Sequence, residues 1–261
     1  MMPHIEHQLI AGALERLDTL FMEIVERSDS QLLMKAWERG AEGNSVKSSF
    51  RAGSQSSLPG EHGRSFGAGP VVVRRVWWQR PDRLREEILF ESELLVVNVC
   101  CGATAYSYVP RDGILYTNNS SMPGKRLRSS NGVPIPTLPT VQSGLEQITL
   151  LQPPFRNPGW EVTVADGERQ YAGRSALSIV ARRSQARTIR AGWQWDGIDQ
   201  FTAVIDQQLG LPFQVAAMVA GQEAAVFSAR AFRIDEPIAG EVFQLTPPKG
   251  AFIALVHPNG S

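Results

Sequence analysis

The stretch VVVRRVWWQRPDRLREEILF, residues 71–90, decides the fold class of this 261-residue chain. Val71 to Trp78 is rich in β-branched and aromatic residues, which favour a pleated strand. Arg80-Pro81-Asp82 is a turn signal, and beyond it the apolar Leu84 and Ile88 alternate with charged residues. This alternation is typical of strands, so the stretch predicts two consecutive strands of a meander.

The strand pattern continues along the chain on both sides of a proline-rich segment. Residues 118–159 carry seven prolines, so little sheet can form there, although Val141, Leu145, Ile148 and Leu151 are spaced for a short helix. The further strands are predicted at Leu94–Val99, Thr104–Tyr108, Ile114–Thr117, Trp160–Val164, Tyr171–Arg182, Trp193–Asp206, Phe213–Ala220 and Ala224–Ile234. The chain is therefore predicted to be mainly β.

The late strands are apolar on both faces. Phe213, Val215 and Ala217 share one face, while Ala216 and Met218 lie on the other. A free-standing antiparallel sheet has one polar face. The pattern therefore predicts that both faces are covered, or that one lines a cavity holding something apolar.

The N-terminal region reads as a helix pair followed by a linker. Apolar residues from Ile10 to Ile24 recur every three or four positions, which predicts a first helix. Ser28-Asp29-Ser30-Gln31 resembles a capping box, and a second helix is predicted to end at Gly40. The predicted organisation is N-terminal helices over 1–40, a Gly/Ser-rich linker over 41–70, a β domain over 71–250 with its insertion at 118–159, and a tail over 251–261.

Charge and cysteine content narrow the function classes. The 26 Lys and Arg residues balance 26 Asp and Glu, which argues against a protein that wraps nucleic acid or lies on an anionic membrane. No apolar run approaches the ~20 residues of a membrane span. The sequence starts without the features of a secretory signal, so we expect a cytoplasmic protein. Cys100 and Cys101 are adjacent and are expected to be reduced thiols.

No motif carries catalytic or metal chemistry convincingly. Gly63-Arg64-Ser65-Phe66-Gly67 matches the nucleophile elbow, but its flanks lack the required strand and helix. His4 and His7 are one helical turn apart without an evident third metal ligand. Arg182, Arg183, Arg187 and Arg190 precede Trp193 and Trp195, a pattern that more often marks a solvated face than a base-stacking surface. We expect no catalytic residue, metal, cofactor or nucleic-acid partner.

Three segments resemble a known family when taken in order. Trp78-Gln79-Arg80-Pro81-Asp82-Arg83-Leu84-Arg85 and Thr104-Ala105-Tyr106-Ser107-Tyr108-Val109-Pro110 resemble segments of periplasmic lipoprotein-carrier proteins of the LolA/LolB-like superfamily. The closing stretch is similar to the family's ending at Ile205-Asp206, Gly210-Leu211-Pro212, Phe232 to Ile238 and Val242 to Pro248. The resemblance spans Val71 to Gly250.

The resemblance implies a strongly curved antiparallel sheet, an unclosed half-barrel, with helices plugging its concave side around a cavity for acyl chains. It also implies that Arg85 matches an arginine that can help to hold a lid shut. Members of the family are exported or lipid-anchored, whereas this chain shows neither an export signal nor a lipidation cysteine.

These observations predict a non-enzymatic binding protein that holds a lipid or another apolar ligand in the concave cavity. The alternative is a regulatory or adaptor module that binds a protein partner through the sheet or the N-terminal helices. The candidate ligand-binding residues, chosen from strand parity, are Trp77, Trp78, Arg85, Tyr106, Tyr108, Phe201, Phe213, Val215 and Phe227.

Overall fold

The computed structural model describes residues 14–42, 71–122, 125–126, 138, 160–183 and 197–256. Several predicted features lie outside these ranges: most of the linker with Ser65, the pair His4 and His7, the helix over Val141–Leu151, Arg187 and Arg190, and Trp193 and Trp195. The linker's first two residues belong to the helix described below.

The described part of the chain is built from strands, one α-helix and two short 3-10 turns at Leu14–Arg16 and Gly240–Phe243. The helix α1 spans Ser30–Glu42. The strands are β1 (Thr19–Ser28), β2 (Val72–Gln79), β3 (Arg83–Phe90), β4 (Glu93–Cys101), β5 (Thr104–Val109), β6 (Ile114–Thr117), β7 (Lys125–Arg126), β8 (Trp160–Tyr171), β9 (Arg174–Arg183), β10 (Gln200–Asp206), β11 (Pro212–Val219), β12 (Gln222–Ile234) and β13 (Phe252–Leu255).

All these strands form one curved sheet in the order β7-β13-β6-β5-β4-β3-β2-β1-β12-β11-β10-β9-β8. Neighbours are antiparallel, except that β13 runs parallel to β6 and β7. The end strands β7 and β8 do not pair with each other, so the sheet is unclosed. The prediction of a mainly β chain with a curved, unclosed sheet is confirmed.

The prediction of a first N-terminal helix is wrong where the structure describes this region, because Thr19–Ser28 is strand β1. This strand pairs with β12 on one side and β2 on the other, in the middle of the sheet. Leu20, Met22 and Ile24 are buried on one face at a spacing of two. Two partner strands satisfy the backbone of β1, and this pairing overrides the helical spacing.

The ends of the predicted β domain also change. Because β1 belongs to the sheet, the β domain begins before residue 71. The predicted tail contains β13, whose Phe252–Leu255 backbone pairs with β6. Its short apolar run follows the turn residues Pro247–Gly250, but nothing local indicates that it pairs with β6.

The second predicted helix is present as α1 and continues past Gly40 to Glu42. The Asp29 side chain caps its N-terminus, since Oδ1 accepts hydrogen bonds from the backbone N–H groups of Gln31 at 2.9 Å and Leu32 at 3.0 Å. The helix contacts β11 and β12. Ala36 is buried in the core, and Leu32 and Leu33 pack against it.

The main core lies on one side of the sheet, which we call the inner face. By register it carries Leu20 and Met22 of β1, Trp78 of β2, and Val215 and Phe227 of the later strands. These residues belong to one contiguous buried cluster that includes Ala36 of α1. The helix therefore covers part of the inner face, as a plug helix is expected to do.

The other side of the sheet, the outer face, has its own apolar cover. Val97, Val99 and Leu115 are buried although they are absent from the main core cluster. The 3-10 turn Gly240–Phe243 contacts β3 and β4, and its Phe243 is buried. The helix α1 thus covers part of the inner face, and the 3-10 turn covers the outer face at β3 and β4.

The adjacent cysteines differ in environment, and neither forms a disulfide. Burial, followed by the charge of Glu86 and by Cys101, raises the pKa of Cys100 to about 11. We expect iodoacetamide at pH 8.5 to label the exposed Cys101 alone in native protein, since the thiolate is the reactive form. Labelling of both thiols is expected only in denaturant. Mass spectrometry counts the adducts, and fast native labelling of Cys100 would contradict the burial.

No helix among the described residues is long and apolar enough to cross a membrane.

Candidate functional site

The structure separates the nine candidate residues by face. Trp78, Phe201, Val215 and Phe227 lie on the inner face, within the buried cluster. Phe213 is the extra residue where the β10–β11 register shifts, and it lines a pocket with Val215 and Phe227. The strand register places the remaining four on the outer face: Trp77, Arg85, Tyr106 and Tyr108.

A small pocket lies between β1, β11 and β12, and its free space of about 10 Å³ is room for roughly one water molecule. Its walls are apolar apart from Gln214, and none of its lining residues is titratable. The lining residues are Met22, Ile24, Pro212, Phe213, Gln214, Val215, Phe227 and Ala229. Such a surface can bury hydrocarbon, but it offers no group for acid–base or nucleophilic chemistry.

Three stacked aromatic rings adjoin this pocket. The Phe213 ring lies between Tyr171 and Phe232, with ring centroids 4.8 Å away on each side. The Tyr171 hydroxyl donates a hydrogen bond of 2.7 Å to the carbonyl of Ala229, which is itself a lining residue. Desolvation raises the pKa of Tyr171, so its phenol stays protonated and remains a donor. The stack and this hydrogen bond therefore support one wall of the pocket.

A partly buried charge network borders the pocket along β1 and β2. Ile24 lines the pocket and pairs directly with Arg74. The Arg74 guanidinium donates to Glu86 at 3.0 Å and to Glu26 at 3.4 Å, and Asn98 donates to the second oxygen of Glu86 at 2.8 Å. Burial lowers the pKa of Arg74, but the two carboxylates raise it further, and the net shift is upward. Charged side chains thus adjoin the apolar lining of the pocket.

Arg85, which the resemblance matches to a lid-holding arginine, lies beside the segment that follows β12. Its guanidinium donates to the backbone carbonyls of Val242 at 3.1 Å and Gln244 at 3.4 Å, and to the Glu87 carboxylate at 2.7 Å. Arg85 also lies over the Trp77 ring, 5.9 Å from its centroid. It therefore holds the segment around the 3-10 turn Gly240–Phe243 against the outer face.

Strand parity missed part of the pocket. Met22 and Ile24 were assigned to a helix, and the apolar Phe21 between Leu20 and Met22 breaks the apolar–polar alternation that signals a strand. Tyr171 and Ala229 were missed for another reason. Their hydrogen bond joins residues 58 positions apart, and no local pattern signals such a contact.

Within the described ranges, no three His, Cys, Asp or Glu side chains are grouped closely enough to hold a metal ion.

Comparison with known proteins gives matches of structure only. No family model matches the chain, and no curated protein matches it. Solved structures match over most of this chain, at low sequence identity.

Three of the matching structures share 12% sequence identity with this chain. LppX, a lipoprotein of Mycobacterium tuberculosis, matches at a TM-score of 0.42 and 12% identity, over 90% of this chain and 95% of its own. An uncharacterized conserved protein of Thermus thermophilus matches at a TM-score of 0.46 and 12% identity, over 95% and 98% of the two chains.

The third is MucB, solved in the MucA/MucB complex of Pseudomonas aeruginosa. It matches at a TM-score of 0.46 and 12% identity, over 92% of this chain but 60% of MucB. This chain thus spans less than two thirds of the length of MucB. Because these TM-scores are below 0.5, the matches assign no ligand or partner to this chain.

Proposed function

We propose that this chain is a non-enzymatic binding protein that holds an acyl chain or another apolar ligand against the inner face of its sheet. The observation that carries the proposal is the pocket between β1, β11 and β12. Its apolar walls include Phe213, Val215 and Phe227, three of the residues that sequence parity selected.

The size of the pocket limits what it can hold alone. Pockets for drug-sized ligands measure roughly 300–1,000 Å³, whereas the free space here is about 10 Å³, which is room for roughly one water molecule. An acyl chain would therefore enter only if the lining side chains move apart, and the rest of it would lie along the neighbouring inner face. Burying that hydrocarbon contributes about 0.8 kcal/mol per methylene, so even a partly enclosed chain gains useful affinity.

Ala229→Leu tests this use of the pocket. Ala229 is a buried lining residue, and a leucine there would fill the space in which the chain is proposed to lie. We expect binding of a fluorescent fatty acid to weaken by about tenfold or more, since displacing two buried methylenes costs roughly 1.6 kcal/mol. Fluorescence titration measures the change.

The matched control is Ala231→Leu, an exposed position two residues further along β12 that pairs with Glu23 on the outer face. It should bind the probe as wild type does. Equal binding by wild type and both variants would place the ligand elsewhere. Absence of binding by wild type, together with no lipid in organic extracts of the purified protein, would refute the proposal.

The alternative, a module that binds a protein partner, has one observation in its favour. A row of side chains crosses the outer face: Arg233 lies 4.6 Å from the Phe21 ring centroid, Phe21 is 5.2 Å from Trp77, and Arg85 stacks on Trp77. Arginine and tryptophan are enriched in binding hot spots. Changes at Phe21 would then abolish partner binding, whereas Ala229→Leu would leave it unchanged.

A further inference from the structure

Four arginines surround two aromatic rings on the outer face of β1, β2, β3 and β12. By register, Phe21 of β1 lies between Trp77 of β2 and Arg233 of β12, and Trp77 pairs in turn with Arg85 of β3. Ala231, on the same face of β12, is exposed, so the sheet is open to solvent here. We call this surface the arginine patch, and it comprises Phe21, Arg75, Trp77, Arg85, Arg230 and Arg233.

A break in the strand pairing turns Arg230 towards the patch. The β1–β12 register shifts between Glu23 and Ile24, which leaves Arg230 as an extra residue of β12, and such bulges re-aim a side chain. One oxygen of the buried Glu23 lies 3.1 Å from Nε of Arg230, and the other lies 2.8 Å from Nε of Arg75. Both ion pairs use Nε, and the Arg75 and Arg230 side chains are 41% and 69% exposed. Their terminal N–H groups can therefore donate to a partner.

The patch has surplus positive charge, although the chain as a whole is neutral. Its two carboxylates are already paired: Glu87 with Arg85, and Glu23 with the two arginines just described. Among the described residues no carboxylate forms an ion pair with Arg233, whose guanidinium lies 4.6 Å from an aromatic ring centroid of β1. The next acid along β12, Asp235, accepts hydrogen bonds from backbone N–H groups at the start of β1. Four arginines against two glutamates leave a surplus of two positive charges.

We propose that the arginine patch docks an acidic segment of a partner protein. Carboxylates of the segment meet Arg75, Arg230 and Arg233, while one apolar side chain rests on the rings of Phe21 and Trp77. Complementary charge selects such a partner, and arginine beside tryptophan is typical of binding hot spots. Nucleic acid fits less well, because its binding proteins neutralise many phosphates and this patch has a surplus of only two charges.

This inference gives the partner's chemistry for the alternative function above, and it does not depend on the inner-face ligand. The two sites lie on opposite faces of the sheet, so each is tested without the other. Ala229→Leu, which alters the inner-face pocket, should leave binding at the arginine patch unchanged.

Panning a library of random peptides of about a dozen residues on the wild-type protein tests the proposal. The double variant Arg230→Gln/Arg233→Gln, which removes two charges at exposed positions, serves for counter-selection. We expect the enriched peptides to be rich in Asp and Glu and to carry at least one aliphatic or aromatic residue. In fluorescence anisotropy the double variant should bind an enriched peptide about tenfold more weakly than wild type, and higher salt should weaken wild-type binding.

The matched control is Arg111→Gln/Arg169→Gln, which removes the same charge at two exposed positions outside the patch, in the β5–β6 turn and on β8. It should bind the peptide as wild type does. Phenylglyoxal, which modifies accessible arginines, gives a second measurement on wild-type protein. Bound peptide should protect Arg230 and Arg233 but not Arg111, and mass spectrometry locates the adducts.

Three results would overturn the inference. The first is a library that yields no enriched peptide, or only neutral and basic ones. The second is equal binding of an acidic peptide by wild type and by the double variant. The third is a single-stranded oligonucleotide that binds more tightly than the peptide and loses affinity in the double variant, since the patch would then serve nucleic acid. None of these results bears on fatty-acid binding at the inner face, so the proposed function is judged separately.

Discussion

Gly197→Ala is expected to lower the free energy of unfolding by about 2–5 kcal/mol. A Cβ at this position would lie 1.7 Å from the carbonyl oxygen of Ala36 and 2.3 Å from its carbonyl carbon, far inside contact distance. Gly197 also has φ +81°, which L-residues adopt at a cost of roughly 1–2 kcal/mol. Overpacking against the α1 backbone adds roughly 1–3 kcal/mol. Urea unfolding followed by circular dichroism measures the loss.

Gly173→Ala is the matched control for this prediction. Its φ of +80° is nearly the same, but nothing lies within 4 Å of an added Cβ. It should therefore show only the cost of the backbone conformation, about 1–2 kcal/mol. Equal losses in the two variants would mean that α1 does not pack closely against Gly197. A larger loss in Gly197→Ala would support the close approach that fixes α1 on the inner face.

Asp206→Ala is the second change with a large expected effect, a loss of about 2–4 kcal/mol. Asp206 is 1% exposed. One carboxylate oxygen accepts from the backbone N–H groups of Gln208 at 2.8 Å and Leu209 at 2.7 Å, and the other accepts from Arg174. Alanine would leave these donors unpaired in the turn before β11. The Arg174 side chain is 32% exposed, so solvent screens its ion pair with Asp206 and weakens its contribution to stability.

Arg174→Met separates the ion pair from the backbone hydrogen bonds, and Asp112→Ala is the control. Arg174→Met keeps both backbone hydrogen bonds to Asp206, so its loss should be smaller than that of Asp206→Ala. Asp112→Ala removes an exposed carboxylate in the β5–β6 turn and should stay within about 0.5 kcal/mol of wild type. Thermal and urea unfolding measure all three variants. An Asp206→Ala protein as stable as Asp112→Ala would contradict the role of Asp206 in holding the β10–β11 turn.

Much of the sheet was predictable because its signals are local. Leu84 and Ile88 alternate with charged residues, and turn residues separate β2 from β3, so neither strand needs distant information for its recognition. The cap of α1 is equally local, since Asp29 bonds to backbone groups two and three residues away. Both the strand alternation and the helix cap are present in the folded structure.

The candidate site was predictable only in part. Phe213, Val215 and Phe227 share the pocket because parity within each strand is a local property. Trp77 and Arg85 were assigned to the same cavity, yet the register places them on the outer face. Strand parity predicts which residues of one strand share a face. It does not predict which face of each strand is turned towards the core.

By itself, the sequence determined that this chain forms a mainly β sheet of short strands with a capped helix near its start, because alternation, turn residues and caps act over a few positions. Only the tertiary structure decided that Thr19–Ser28 is a central strand, that β13 joins β6, and that Met22 and Ala229 line one pocket. The physical reason is that these features depend on which distant backbones pair and which face is covered. A strand's own residues do not encode its partners.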